Sequence, residues 1–194
     1  MQSLLGLLIA LHITWAAAAP AFVLNVVAPD DVQPTLARHL DIQRFANLPD
    51  LDANELQRLV ADVPVHARSL LGALGYFSPT ITTQLDEAQP GNATSNVAQP
   101  PTVTVTVDPG PPTTVGSVSL TVRPHPALPD TTTLTQALAQ AWALPSGQRF
   151  TQTAWDDAKA LALTRLTHAQ FPAATIVGSL ADVDSDARSV ALYL

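Results

Sequence analysis

Val103-Thr104-Val105-Thr106-Val107 alternates without a fault and runs directly into Asp108-Pro109-Gly110-Pro111-Pro112. The alternation is the period of a strand with one face buried and one face wet. Three prolines without a backbone donor, and a glycine free to take positive φ, then forbid a helix or a central strand from passing through. The chain must turn at Pro109, Gly110 and Pro111, and strand character resumes at once with Val115, Val118, Leu120 and Val122. The same order of elements stands on both sides: a strand, a helical region, then two strands. The junction is therefore read as a hinge between two domains, residues 22–110 and 111–194. A long hairpin within one domain is the alternative.

Removal of an N-terminal leader from the 194 residues would leave about 173, enough for two compact units of roughly 85 residues with modest cores. The formal charge is -7, and residues 22–110 carry ten acidic against four basic side chains while residues 111–194 carry six against five. Nine scattered lysines and arginines do not make the basic footprint that a nucleic-acid backbone requires, so no nucleic-acid partner is expected. With no cysteine, thiolate metal sites, thiol nucleophiles and disulfides are excluded.

Leu4 to Leu11 is almost wholly apolar, and Ala19-Pro20-Ala21 offers a small-x-small site ahead of Phe22. The run is too short for a bilayer and has the length of an export-signal core, so residues 1–21 are expected to be a cleaved leader. Met1-Gln2-Ser3 lacks the usual basic residue, and a buried apolar N-terminus is the competing reading.

Phe22, Leu24 and Val26 alternate with Val23, Asn25 and Val27 as a first strand, stopped by Ala28-Pro29. Asp30 or Asp31 is expected to cap a helix over Val32 to Leu40, with Pro34 tolerated in its first turn. A second helix starts after Pro49 with Asp50 or Asp52 as cap and Glu55 in its first turn, and Pro64 is expected to break or kink it. Ala67, Leu70, Leu71 and Leu74 resume the apolar face, and Gly75 suits a left-handed terminus after which Tyr76 and Phe77 fold back. Ile81, Thr83 and Leu85 mark a strand, followed by a loop over Asp86 to Pro101 and the strand Thr102 to Val107. In the second unit the expected elements are a strand Val115 to Val122 and a helix Thr131 to Trp142 capped by Asp130 or Thr131. A turn Leu144 to Phe150 and a helix Thr153 to Ala169 with Asp156 and Asp157 in its first turn follow. Strands Ala174 to Leu180 and Ser189 to Leu194 come last, joined through Asp182 to Asp186.

Nothing in this order carries chemistry. The histidines at 12, 39, 66, 125 and 168 form no metal-ligand pair, and His39 and His168 suit helix C-terminal ends. Asp182, Asp184 and Asp186 lack the glycine and closing glutamate of a calcium loop and read as a charged hairpin turn. Asn92-Ala93-Thr94 fits the glycosylation triplet, which is common by chance. Serines 69, 78, 117, 119 and 146 have no nucleophile-elbow context, Asp30-Asp31 and Asp156-Asp157 are accounted for as helix-start charges, and Trp142 and Trp155 suit helix packing better than ligand stacking. No enzyme activity is expected.

Four features together carry a resemblance: the repeated order of elements, the Gly75-Tyr76-Phe77 helix end, Val107 to Pro111 running into Val115-Gly116-Ser117-Val118, and the turn Gly147-Gln148-Arg149-Phe150. In these the mature chain resembles tandem POTRA domains of the outer-membrane assembly superfamily, most of all the periplasmic part of a TamA-like autotransporter assembly protein. Ala169-Gln170-Phe171-Pro172 departs from the Gly-Tyr or Gly-Phe helix end usual there. The resemblance implies an α+β fold of two β-α-α-β-β domains, each a three-stranded mixed sheet with helices on one face. It implies no catalytic residue and no cofactor. It also implies outer-membrane or autotransporter client polypeptides as partners, with an inner-membrane-anchored periplasm-spanning protein as a further one. Membrane contact would come only through a third domain and β-barrel, which do not follow Leu194.

Such a sheet leaves edges whose N–H and C=O groups can pair with an incoming extended chain. The expected client-binding edges are Thr80, Ile81, Thr82, Thr83, Gln84 and Leu85 in the first unit, and Thr175, Ile176, Val177, Gly178 and Ser179 in the second. A soluble periplasmic adaptor with one fixed partner is the alternative function, and a small secreted enzyme the third.

Overall fold

The computed structural model describes residues 20–48, 50–88, 99–123, 131–169 and 171–194. Several expectations lie outside them: most of the leader (residues 1–19), Pro49, the Asn92-Ala93-Thr94 triplet within 89–98, His125 and Asp130 within 124–130, and Gln170.

The first unit runs β1 (Val23–Val27), α1 (Gln33–His39), a 3₁₀ turn (Asp41–Phe45), α2 (Ala53–Ala73), β2 (Thr80–Asp86) and β3 (Thr102–Asp108). Its sheet has the order β1-β3-β2. β1 lies parallel to β3 from Val23 opposite Thr102 to Val27 opposite Thr106, and β2 lies antiparallel from Thr80 opposite Asp108 to Asp86 opposite Thr102. The alternating valines do what their period requires: Val103, Val105 and Val107 are buried under the helices, against Phe22, Leu36, Val63, Ala67 and Leu71.

Asp52 caps α2, its Oδ1 accepting from the Glu55 N–H at 2.8 Å. At the other end Gly75 takes φ +87°, the Gly75 N–H donates to Gly72 O at 3.0 Å and the Tyr76 N–H donates to Leu71 O at 2.9 Å. These are the two bonds of a Schellman terminus. His66 on α2 holds the 3₁₀ turn: the Asp41 N–H donates to its Nδ1 at 3.0 Å, and its Nε2 lies 3.1 Å from the Asp41 carboxylate.

Two expectations for this unit are corrected. Pro64 does not break α2, which continues for 21 residues because Val60, Val63, Ala67 and Leu71 around it are all buried on one face. Core packing here outweighs the lost backbone donor. Asp30 and Asp31 do not cap α1, whose N-cap is Val32, with no side-chain cap bond. Asp31 instead accepts a hydrogen bond from the Tyr76 hydroxyl, 45 residues away.

The second unit runs β4 (Thr114–Ser119), α3 (Thr132–Ala141), α4 (Gln152–Ala169), β5 (Leu180–Asp184) and β6 (Ser189–Tyr193), with sheet order β4-β6-β5. β4 is parallel and β5 antiparallel to β6. The fold is therefore α+β, with the same strand and helix order and the same mixed three-stranded sheet in both units. Trp142 and Trp155 meet edge to face at 5.6 Å, and the Trp142 Nε1–H donates to Leu144 O, so both serve packing.

Three boundaries move here. β4 ends at Ser119, although Leu120 and Val122 still pack beneath α3 and α4. α4 starts at Gln152, behind Thr151, whose Oγ1 accepts from the Ala154 N–H; Asp156 and Asp157 thus fall in its second turn. There Lys159 and Gln152 bond Asp156 and hold its carboxyl below the usual range.

The last strand pair is displaced most. Ala174 to Ser179 is irregular, and β5 begins only at Leu180. The cause is the turn, because Asp184 Oδ1 accepts from the N–H groups of both Asp186 and Ala187. That side-chain turn places the reversal at residues 185–188 and so sets Leu180 opposite Tyr193.

Candidate functional site

The two units meet at a docked joint. The Schellman bonds take up the Leu71 and Gly72 carbonyls at the end of α2, and the Leu74 and Gly75 carbonyls just beyond it need donors from elsewhere. Unit two supplies them: the Thr113 N–H donates to Gly75 O at 2.8 Å and Arg149 Nη2 donates to Leu74 O at 3.2 Å. A guanidinium is well placed there, since helix C-termini favour cations. The same guanidinium carbon lies 4.8 Å from the centre of the Tyr76 ring, a cation–π contact. Phe77 packs into the second unit's core with its ring 6.1 Å from that of Phe150.

The expected hinge residues stand at this joint. Pro109 is buried, and Gly110, at φ +67°, donates its N–H to Asp108 Oδ1 at 3.0 Å. Pro111 is exposed, and two residues later Thr113 is buried, bonded through its N–H to unit one and through its carbonyl to the Phe150 N–H.

Each sheet has two outer strands, and they differ in how they are covered. The outer side of β4 is occupied by the 146–150 turn: Val115 exchanges bonds with Gln148 and Gly147, and Thr114 bridges Arg149. β5 pairs only with β6, and β2 only with β3, among the described residues.

All six expected residues Thr80 to Leu85 lie on β2. Ile81 and Leu85 pack onto the core, and Thr80, Thr82 and Gln84 are exposed. Thr83 is half-buried between them. Thr175, Ile176, Val177, Gly178 and Ser179 are all exposed but stand outside any strand, so the second unit's antiparallel edge is Leu180–Asp184. On β5, Ala181 and Val183 pack inward while Leu180, Asp182 and Asp184 face solvent.

Sequence reading passed over Arg149 and the Asp31–Tyr76 bond. The only signal for the first was its place in a Pro-Gly turn; for the second there was none. No group of three or more histidine, aspartate or glutamate side chains among the described residues could hold a metal. No helix among them is long and apolar enough to cross a membrane.

Residues 29–109 match the family model described as POTRA domain, TamA domain 1. No curated protein matches the chain. Similar solved structures include BamA POTRA3-5 of Haemophilus influenzae, 18% identical over 88% of this chain and 58% of that one, TM-score 0.38. BamA of Haemophilus ducreyi lacking POTRA domains 1-3 is 14% identical over 88% of this chain and 28% of that one, TM-score 0.39. POTRA1-2 of the periplasmic domain of Omp85 from Anabaena is 15% identical over 88% and 91%, TM-score 0.36. The chain thus spans less than two thirds of the first two of these. The match is confined to the first unit, which is thus similar over residues 29–109 to a POTRA domain of the TamA domain 1 kind.

Proposed function

We propose that this chain is the non-catalytic, periplasmic polypeptide-binding part of an outer-membrane protein or autotransporter assembly factor, and that clients bind it in extended form along β2. The observation that supports this reading is the open side of β2, whose seven residues pair with β3 on one flank while Ile81 and Leu85 anchor them to the core. An anchored edge presents fixed donors and acceptors to any extended chain, so recognition tolerates varied side chains. Each such bond contributes about 0.5–1.5 kcal/mol net, so four of them give no better than roughly millimolar to high-micromolar binding after association costs. Weak, reversible capture suits a factor that must release its clients.

Single photoreactive residues along 80–86, in the native host expressing the whole gene, test the reading. Adducts with nascent outer-membrane or autotransporter β-strands support it. One stoichiometric periplasmic partner would instead favour a fixed-partner adaptor, and no adduct at β2 would end the proposal.

A further inference from the structure

We infer that the free edges of β5 and β2 form one continuous track, so that a single extended polypeptide segment pairs with both units at once; this rests on the edge-pairing reading above. The register places the ends. Thr80, the first residue of β2, lies opposite Asp108, the last of β3. Asp184, the last residue of β5, lies opposite Ser189, which also faces Thr114, the first of β4. Only residues 109–113 separate β3 from β4, so the start of β2 and the end of β5 both face the joint. They meet there: Ser78 Oγ donates to Ser185 O at 3.4 Å.

Two consequences follow for a bound chain. β5 runs toward Ser185 and β2 runs away from Ser78, so polarity is preserved across the gap and a segment antiparallel to one is antiparallel to the other. The flank is preserved as well, because α2 touches α4 and the end of α2 lies against Arg149 and Phe150 in the turn that leads into α4, so both helical layers stand on the same side. With five residues on β5, seven on β2 and about three across the gap, the track fits roughly 15 residues, about 50 Å at about 3.3 Å each.

The occupant is an alternating strand whose solvent-side positions are basic or polar. Asp182 and Asp184 are exposed on β5 and Asp86 on β2, whereas Thr80, Thr82 and Gln84 between them are neutral. Charge complementarity therefore selects lysine or arginine at the two ends of the segment and hydroxyl or amide side chains in its middle.

Two peptides of alternating valine with lysine or threonine, seven and 16 residues long, test the inference on the mature chain by NMR titration. Joining two weak sites in one ligand raises affinity through effective concentration. The 16-residue peptide is expected to bind at least tenfold more tightly than the seven-residue one, with one-to-one stoichiometry. A spin label at one of its ends should broaden amides near Asp86 only, and a label at the other end those near Leu180 only. Arg149→Ala, which loosens the joint, should remove most of the length advantage and leave the short peptide's affinity unchanged. A gain below tenfold, or broadening at both sites from either label, overturns the continuous track while leaving edge pairing intact. No shift change at β2 with either peptide overturns the edge-pairing reading and the track with it.

Discussion

The Cβ that Gly75 lacks would stand 1.9 Å from the carbonyl oxygen of Phe150. Gly75 is thus required twice, by its φ of +87° at the end of α2 and by the backbone of the second unit lying against it.

Gly147 separates the two requirements, since it takes φ +88° but a Cβ there would meet nothing within 4 Å. Gly147→Ala is expected to cost about 1–2 kcal/mol, the left-handed penalty alone. Gly75→Ala should cost at least about 2 kcal/mol more and increase the radius of gyration as the units part. Urea denaturation with small-angle scattering checks both, and equal costs would show that the joint is not docked.

Phe77 belongs to the first unit by sequence and to the second by packing. The fragment 22–110 should fold alone, and 111–194 should be less stable alone than within the whole chain by about 1–3 kcal/mol, having lost the ring beside Phe150. Adding the first fragment to the second should shift the amide signals of residues 148–150. A second fragment as stable alone as in the whole chain would contradict this.

Tyr76 donates to Asp31, and this bond, followed by burial, raises its phenol above the ordinary value. The native state therefore holds the proton more tightly than the unfolded chain. The resulting stability is complete below the unfolded tyrosine value of about 10 and is lost as pH rises through the folded value. Tyr76→Phe should cost about 1–3 kcal/mol at neutral pH and flatten the decline above about pH 10, read from denaturation midpoints. An unchanged alkaline slope would exclude the bond as its source.

Pro64 lies inside α2 and leaves the Val60 carbonyl without its helical donor. Pro64→Ala is expected to stabilise the chain by about 1–3 kcal/mol, seen as a higher midpoint with an unchanged urea slope. A loss of stability would mean that the half-buried ring packs better than a methyl group and a restored bond.

The proposed leader is checked by N-terminal sequencing of protein recovered from its host, which should begin at or near Phe22. Phe22 is buried, and the Ala21 N–H bonds Ala46 O at 2.7 Å, so the first unit uses both residues and a cleavage well beyond Phe22 would cost it core contacts. A mature chain beginning at Met1 would refute the leader.

Local chemistry was legible in the sequence wherever a residue's own backbone needs decide the outcome. The valine alternation placed β3 and its buried face, Asp52 and Glu55 marked the start of α2, and Gly75 and Gly110 marked two of the three positive-φ glycines among the described residues. Tertiary structure alone decided which distant group each polar side chain would meet. Asp31 could cap a helix or accept from a phenol, and only the return of α2 beside it settles the choice. Pro64 follows the same logic, because the local penalty is fixed but the burial that outweighs it depends on the sheet beneath. The start of β5 was hidden for another reason: Ile176 and Val177 have strand propensity, yet strand existence is a pairing property, and the Asp184 turn gave the pairing to Leu180–Asp184. The order of elements could be read along the chain; the docking of Arg149 and Phe150 on Leu74 to Phe77 could not, since it joins residues about 75 apart whose only common property is the surface they share.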